Sequence, residues 1–315
     1  MTDERPAPRR RRRWLLPVSV VAAVLVYAVV VLLYAGGLGD SAVLCEEPSA
    51  DQAGRDHVTV NLMPSAVHAV EQRVDMQLVV DPAGSLLDDD GFTIGRGFGL
   101  LLYPVNGSQV VPFAAGDVIS TQTVSFYTEG AVEQWPFDTY STDIVTVAYS
   151  GEGSDRVGIP TYVCIDGSVP GWHFEAHRVD ETGNTVDTPE GQQELQSVVV
   201  TATRSASTVA FGVVLLGLMA LAPVLVLFVA ISAYIGRRKV EATLTSWMGA
   251  MLFAILPLRN FLPGAPPVGS WIDYTIVLWV IVGLVAGLTI YVMAWSRWGT
   301  RAAPRGAAPP RDPLS

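Results

Sequence analysis

The chain is 315 residues long, and 50% of them are hydrophobic while only 16% are charged. That apolar excess excludes an ordinary soluble domain and points to membrane spans. The net charge of −10 is unevenly placed: residues 40–204 hold 25 acids against 6 arginines, and the rest holds 5 acids against 14 basic residues. An acidic centre between basic, apolar ends excludes a nucleic-acid partner, which needs a basic face, and a simple cytosolic enzyme.

In chain order, a basic tail (1–13, with arginines at 9–13) precedes a first span at 14–35, whose apolar run 15–34 carries no charge. That run is longer than the ~7–15 residues of a signal-peptide h-region. Ala35-Gly36-Gly37 is also a poor cleavage site, so the span is expected to remain as an anchor. Three further spans follow, at 208–235, 244–262 and 274–295, each near the ~20 residues needed to cross ~30 Å of hydrocarbon. Arg237, Arg238 and Lys239 sit in the short loop 236–243, and Arg297, Arg301, Arg305 and Arg311 lie in or beside the tail 296–315, which is expected to lack fixed structure. Basic residues near span ends are retained in the cytoplasm. All three clusters share that side only with four spans, both termini inside and residues 36–207 outside. The bilayer is therefore the first expected partner, and the arginines at 9–13 also suit anionic headgroups.

The outer segment alternates apolar and polar residues at 57–62, 74–80, 98–105, 118–127, 143–149, 161–165, 172–179 and 196–203. Runs of period two separated by turn chemistry are strands. Asp81-Pro82-Ala83-Gly84, Asn106-Gly107, Gly151-Glu152-Gly153 and Glu181-Thr182-Gly183-Asn184 supply the turns. The expected fold class is thus α+β: an extracytoplasmic all-β, sandwich-like domain with one transmembrane helix before it and three after. Cys45 and Cys164, the only cysteines, both fall in this segment, and outside the cytoplasm a disulfide is their expected fate.

Chemistry-bearing patterns are few. His173, Glu175 and His177 are spaced by two, which puts them on one face of a strand. Two imidazoles and a carboxylate are zinc-ligand types, which would make the chain a metal-dependent envelope hydrolase. The more economical reading is a polar face opposite Trp172, Phe174 and Ala176. Asp88, Asp89 and Asp90 lack the spacing of a calcium loop and read as a solvated loop. No nucleophile elbow, phosphate loop or dinucleotide fingerprint occurs, so no cofactor is expected. In the third span Arg259 is followed by Asn260 and the stiff turn Pro263-Gly264-Ala265-Pro266-Pro267 (outer turn 263–273), and Asp273 opens the fourth span. A charge near lipid usually faces a partner. Arg259 is expected either to pair with Asp273 or meet the base of the outer domain, or else to snorkel to the interface.

Within residues 130–140 the run Trp135-Pro136-Phe137-Asp138-Thr139-Tyr140 reads as a corner. Pro136 interrupts pairing, Trp135 and Phe137 anchor the core, and Asp138 accepts backbone N–H groups. This run resembles a motif of the bacterial and fungal membrane proteins called the domain of unknown function 4436 family. So do residues 199–211 around Arg204, and Leu256-Pro257-Leu258-Arg259-Asn260 through Pro263, Gly264, Pro266, Pro267, Gly269 and Asp273. The resemblance implies one span before and three after an exported domain, and no established activity. A similar Phe-Pro-Phe-Asp element occurs in pentameric ligand-gated channels, but the spans here show no polar stripe of a pore. The leading expectation is a non-enzymatic plasma-membrane protein that presents its outer domain to an envelope protein, lipid or cell-wall component. An oligomeric channel or transporter component, a homo-oligomer with the outer domain as sensor, is the alternative.

Overall fold

The computed structural model describes residues 15–36, 42–46, 48, 54–151, 153–179, 185–188, 191–194 and 197–298. The chain divides into two compact units, Met1–Val213 with Pro266–Ser270, and Val214–Ala265 with Trp271–Ser315.

The first unit holds the β domain. In chain order its strands are β1 (Ala42–Cys45), β2 (His57–His68), β3 (Arg73–Ala83), β4 (Phe98–Tyr103), β5 (Val110–Phe113), β6 (Gln122–Tyr127) and β7 (Glu129–Gly130). They continue with β8 (Thr139–Ser150), β9 (Val157–Ile159), β10 (Thr161–Gly167), β11 (Trp172–Val179), β12 (Thr185–Thr188), β13 (Gly191–Glu194) and β14 (Ser197–Arg204). One sheet has the order β1-β10-β2-β3-β6. The second runs β11-β14-β8-β4-β5, with β7 and β9 also paired to β8, and β12-β13 form a separate hairpin. Within the first sheet β10 runs parallel to β2. Period-two burial builds the core. Val58, Val60 and Leu62 of β2 and Val74, Met76, Leu78 and Val80 of β3 meet Leu100, Leu102, Ile144, Ala148, Val198 and Val200 of the second sheet. Burying each such side chain fully is worth about 1.5–3 kcal/mol, an upper estimate because the unfolded chain already hides part of this surface.

The expected strands are present with shifted ends. The 98–105 run stops at Tyr103, because Pro104 and Val105 cross to β6: Tyr127 N–H donates to the Pro104 carbonyl, and Val105 bridges to Phe126. The 118–127 run starts only at Gln122, Val118 being bridged instead to Thr93. The short strands β1, β5, β7, β9, β12 and β13 span two to four residues each, too few to give a readable period. Cys45 and Cys164 form a disulfide and lie opposite one another in the β1–β10 pair.

The second unit is helical. Of the four helices, α1 (Leu15–Gly36) belongs to the first unit and α2 (Ala206–Tyr234) starts there, while α3 (Ala242–Asn260) and α4 (Leu278–Trp298, preceded by the π turn Asp273–Val277) lie in the second. Among the described residues, three helices are long and apolar enough to cross a membrane: α2, α3 and the combined Asp273–Trp298 helix. α1 stands where the first span was expected, and its described apolar run is the shorter Val24–Ala35. On α2 the buried positions 216, 219, 223, 226, 230 and 233, and on α4 280, 284, 287, 291 and 294, recur every three or four residues, the spacing of one packed face. The two helices approach closely at glycines. A Cβ on Gly283 would lie 2.9 Å from Pro223, and one on Gly287 2.7 Å from Val226, the small-residue contact that lets apolar helices pack. Tyr291 is fully buried, and its hydroxyl donates to the Glu241 carbonyl (2.8 Å) and accepts from the Glu241 N–H (2.9 Å) at the start of α3.

Candidate functional site

The most completely buried polar cluster lies where the β domain becomes helix. β14 sits inside the second sheet between β11 and β8, ends at Arg204, and is separated from α2 by Ser205 alone. Because β14 alternates, Val198, Val200 and Ala202 point into the core, and Arg204 follows them inward. A guanidinium cannot be left there alone. Its Nε donates to Asp138 Oδ1 at 2.6 Å and its Nη2 to Asp138 Oδ2 at 2.8 Å, with side chains only 2% and 0% exposed. The bidentate fork satisfies both charges, the condition for tolerating a buried ion pair.

The residues around the pair hold it in place. Tyr140, fully buried on β8, donates its hydroxyl to Asp138 Oδ2 at 3.0 Å. Burial, then the Asp138 charge and that hydrogen bond, push the Tyr140 phenol well above its ordinary pKa, so it remains a donor. The Trp172 ring packs 4.7 Å under the Arg204 guanidinium and edge-on to Tyr140. Gly130 of β7 pairs with Tyr140, and a Cβ there would collide with the Tyr140 ring and the Thr139 carbonyl. Beyond the pair, Ser205 N–H donates to the Gly171 carbonyl, and the hydroxyls of Ser205 and Thr208 lie 3.0 Å apart in the first turn of α2. Sheet end and helix start are thus joined through side chains as well as backbone.

This geometry corrects the expected corner. Trp135 is fully buried before the cis Trp135–Pro136 bond, but Phe137 is 67% exposed and anchors nothing in the core. Asp138 receives side-chain donors, Arg204 and Tyr140, rather than backbone N–H groups. The reason is distance in sequence: Arg204 lies 66 residues away, beyond the reach of turn chemistry.

The other candidates separate. His173, Glu175 and His177 do share the outward face of β11, and His173 Nε2 comes within 3.5 Å of Glu175 Oε1. Among the described residues, however, no group of three or more His, Cys, Asp or Glu is placed to hold a metal ion. Side chains at i and i+4 on a strand stand about 13 Å apart, too far to close a coordination sphere. Asp90 folds its own loop, accepting the Phe92 and Thr93 N–H groups at 2.9 Å, and Asp88 accepts from Asp89 N–H. In the helical unit Arg259 grips Asp273 by Nε to Oδ1 (3.1 Å) and Nη2 to Oδ2 (2.9 Å).

Sequence reading also missed a third cluster. Ser125 Oγ donates to Asp75 Oδ1 at 2.5 Å, and His68 Nε2 lies 2.9 Å from Asp75 Oδ2. The residue types are those of a hydrolytic triad but the order is wrong: the carboxylate is central, and no histidine bridges to the serine to take its proton. The arrangement ties β2, β3 and β6 together.

Residues 48–203 match the family model "Domain of unknown function (DUF4436)", and residues 204–298 match "Domain of unknown function (DUF8686)". The chain belongs to the DUF4436 family. The boundary between the two matches falls at Arg204, the residue that joins sheet to helix. No curated protein matches the chain.

Proposed function

We propose that this DUF4436 protein is a multi-pass plasma-membrane protein that holds its sandwich outside the cytoplasm as a rigid binding module for an envelope protein, lipid or cell-wall component. In this reading residues 14–35, 208–235, 244–262 and 274–295 cross the bilayer, both termini are cytoplasmic, and residues 36–207 are outside. The basic clusters at 9–13, 237–239 and 297–311 support that orientation. The disulfide suits an oxidising compartment.

The observation that carries the proposal is the Arg204–Asp138 junction. A domain that is merely tethered needs a flexible linker, whereas here one residue separates a central strand from an apolar helix, and a sealed ion pair fixes the strand end. The strand end and the first turn of α2 are held together there, which suits a domain that presents a surface rather than one on a loose tether.

The test is labelling of intact cells with a membrane-impermeant thiol reagent, using Glu175→Cys on the outer face of β11 and Arg238→Cys in the 236–243 loop. Labelling of the first alone supports the proposal. Labelling of the second alone overturns the orientation, and labelling of neither overturns the exposed outer domain. The partner is then sought by photocrosslinking from position 175 in the native membrane. Recovery of envelope material supports presentation to the envelope, and crosslinks only to cytoplasmic proteins overturn it.

A further inference from the structure

The second sheet has a gap. On one edge, β8 pairs with β4 from Val145 onward and with β7 at Tyr140 and Ser141. Between these two ladders no described strand covers Thr142, Asp143 and Ile144. The gap opens into a slot of about 580 Å³, within the size range of small-molecule sites. It exists because β4 ends at Tyr103 and β6 crosses from the first sheet to become β7.

The chemistry of its walls is one-sided. Glu129 and Asp143 contribute carboxylates, and no lysine, arginine or histidine lines the slot. Tyr103 and Tyr127 expose about half their surface there, and the Tyr127 hydroxyl is held by Asn106 Oδ1 at 3.0 Å, which fixes its ring. Thr128 and Thr142 also line the slot. They are 7% and 5% exposed, and neither Oγ1 has a hydrogen-bond partner among the described residues. Both hydroxyls lie on the core face of the sheet, Thr142 opposite the buried Val200, so the slot's polar chemistry comes from Glu129 and Asp143 on the outer face.

We infer that this slot binds a small organic ammonium ligand. An anion is repelled by the two carboxylates. A neutral molecule uses the tyrosines but gains nothing from the charges. A protonated amine uses both: its N–H groups donate to the carboxylate oxygens, and its positive charge lies against the tyrosine faces. The inference rests on the reading of the sandwich as a binding module and names the ligand class for it. Because the slot lies wholly within the β domain, binding is measured in detergent regardless of orientation in the membrane.

The test is calorimetric titration of the detergent-solubilised full chain with benzylamine at pH 7, against benzyl alcohol as the neutral isostere. Benzylamine is expected to bind, and benzyl alcohol to bind at least about tenfold more weakly. Glu129→Gln and Asp143→Asn are each expected to weaken benzylamine roughly three- to tenfold. Asp88→Asn, in a remote loop, leaves it unchanged. Each variant is checked for an unchanged circular dichroism spectrum, and Glu129→Gln, on an exposed side chain, keeps the test open where Asp143→Asn fails to fold. Equal binding of amine and alcohol, binding indifferent to both carboxylate changes, or no heat at millimolar benzylamine each overturns the inference. None of these results alters what thiol labelling reads about orientation.

Discussion

Arg204 closes β14 by clamping both carboxylate oxygens of Asp138, and the two side chains are 2% and 0% exposed. Removing one partner strands the other charge in a site without water, whereas removing both replaces the pair with apolar packing. Asp138→Ala and Arg204→Ala are each expected to destabilise the domain by about 3–5 kcal/mol. Asp138→Leu combined with Arg204→Met should cost much less than the sum. Chemical denaturation of the detergent-solubilised protein reads the cycle, and additive losses would show that the two residues act independently.

Gly130 is fixed by what faces it. A Cβ at that position meets the Tyr140 ring and the Thr139 carbonyl, so neither a small shift nor a rotamer change relieves both contacts. Gly130→Ala is expected to displace Tyr140 from Asp138 and lower stability by about 1–3 kcal/mol. The displacement is checked by tyrosine absorbance. The buried phenol ionises only at strongly alkaline pH in the wild type, and a part-released Tyr140 should titrate closer to the ordinary value near 10.

The Cys45–Cys164 disulfide closes a loop with a sequence separation of 119. The chain-entropy model gives about 4–5 kcal/mol for a loop of that size. Cys45→Ser with Cys164→Ser is expected to lower the unfolding midpoint markedly and to free β1, which among the described strands pairs only with β10. Proteolysis should then cut first near residue 45. Equal resistance of oxidised and double-serine protein would place β1's stability in its hydrogen bonds alone.

Acid should weaken the Ser125–Asp75–His68 cluster. Burial works against the ionised Asp75 carboxylate, but hydrogen bonds from Ser125 and His68 and the charges of His68 and Arg73 outweigh it, holding its pKa below the ordinary value. A carboxylate with a depressed folded pKa stabilises above the unfolded value, near 3.9, and that contribution is lost as pH falls through the folded one. The unfolding midpoint of the wild type is expected to drop below about pH 5. Asp75→Asn should be less stable at neutral pH and show a shallower fall on acidification.

Arg259 and Asp273 pair between α3 and the opening turn of the last helix. If the pair fixes this hairpin, Arg259→Leu destabilises the helical unit, and Arg259→Leu with Asp273→Asn recovers part of the loss. Protein level in membranes and detergent-extracted melting both report it. Unchanged values for Arg259→Leu would leave the arginine a role at the interface only.

Sequence alone determined what depends on neighbours along the chain. Period-two alternation at residues 57–62, 74–80 and 172–179 is enough to identify strands, because side chains on a strand alternate faces whatever pairs beside it. Apolar length is enough to identify α2, α3 and α4, because a helix satisfies its own backbone in hydrocarbon. The Arg259–Asp273 pair was within reach for the same reason, the two charges being 14 residues apart across one tight turn. What joins distant segments was decided only in three dimensions. Nothing local in Trp135-Pro136-Phe137-Asp138 tells that Asp138 awaits Arg204, that Phe137 is turned out, or that Ser125 and His68 converge on Asp75. Two-residue β7, and the gap it leaves beside Thr142, follow from where β6 changes sheets. A strand so short carries no period, and the crossing is set by the packing of two sheets rather than by any residue in it.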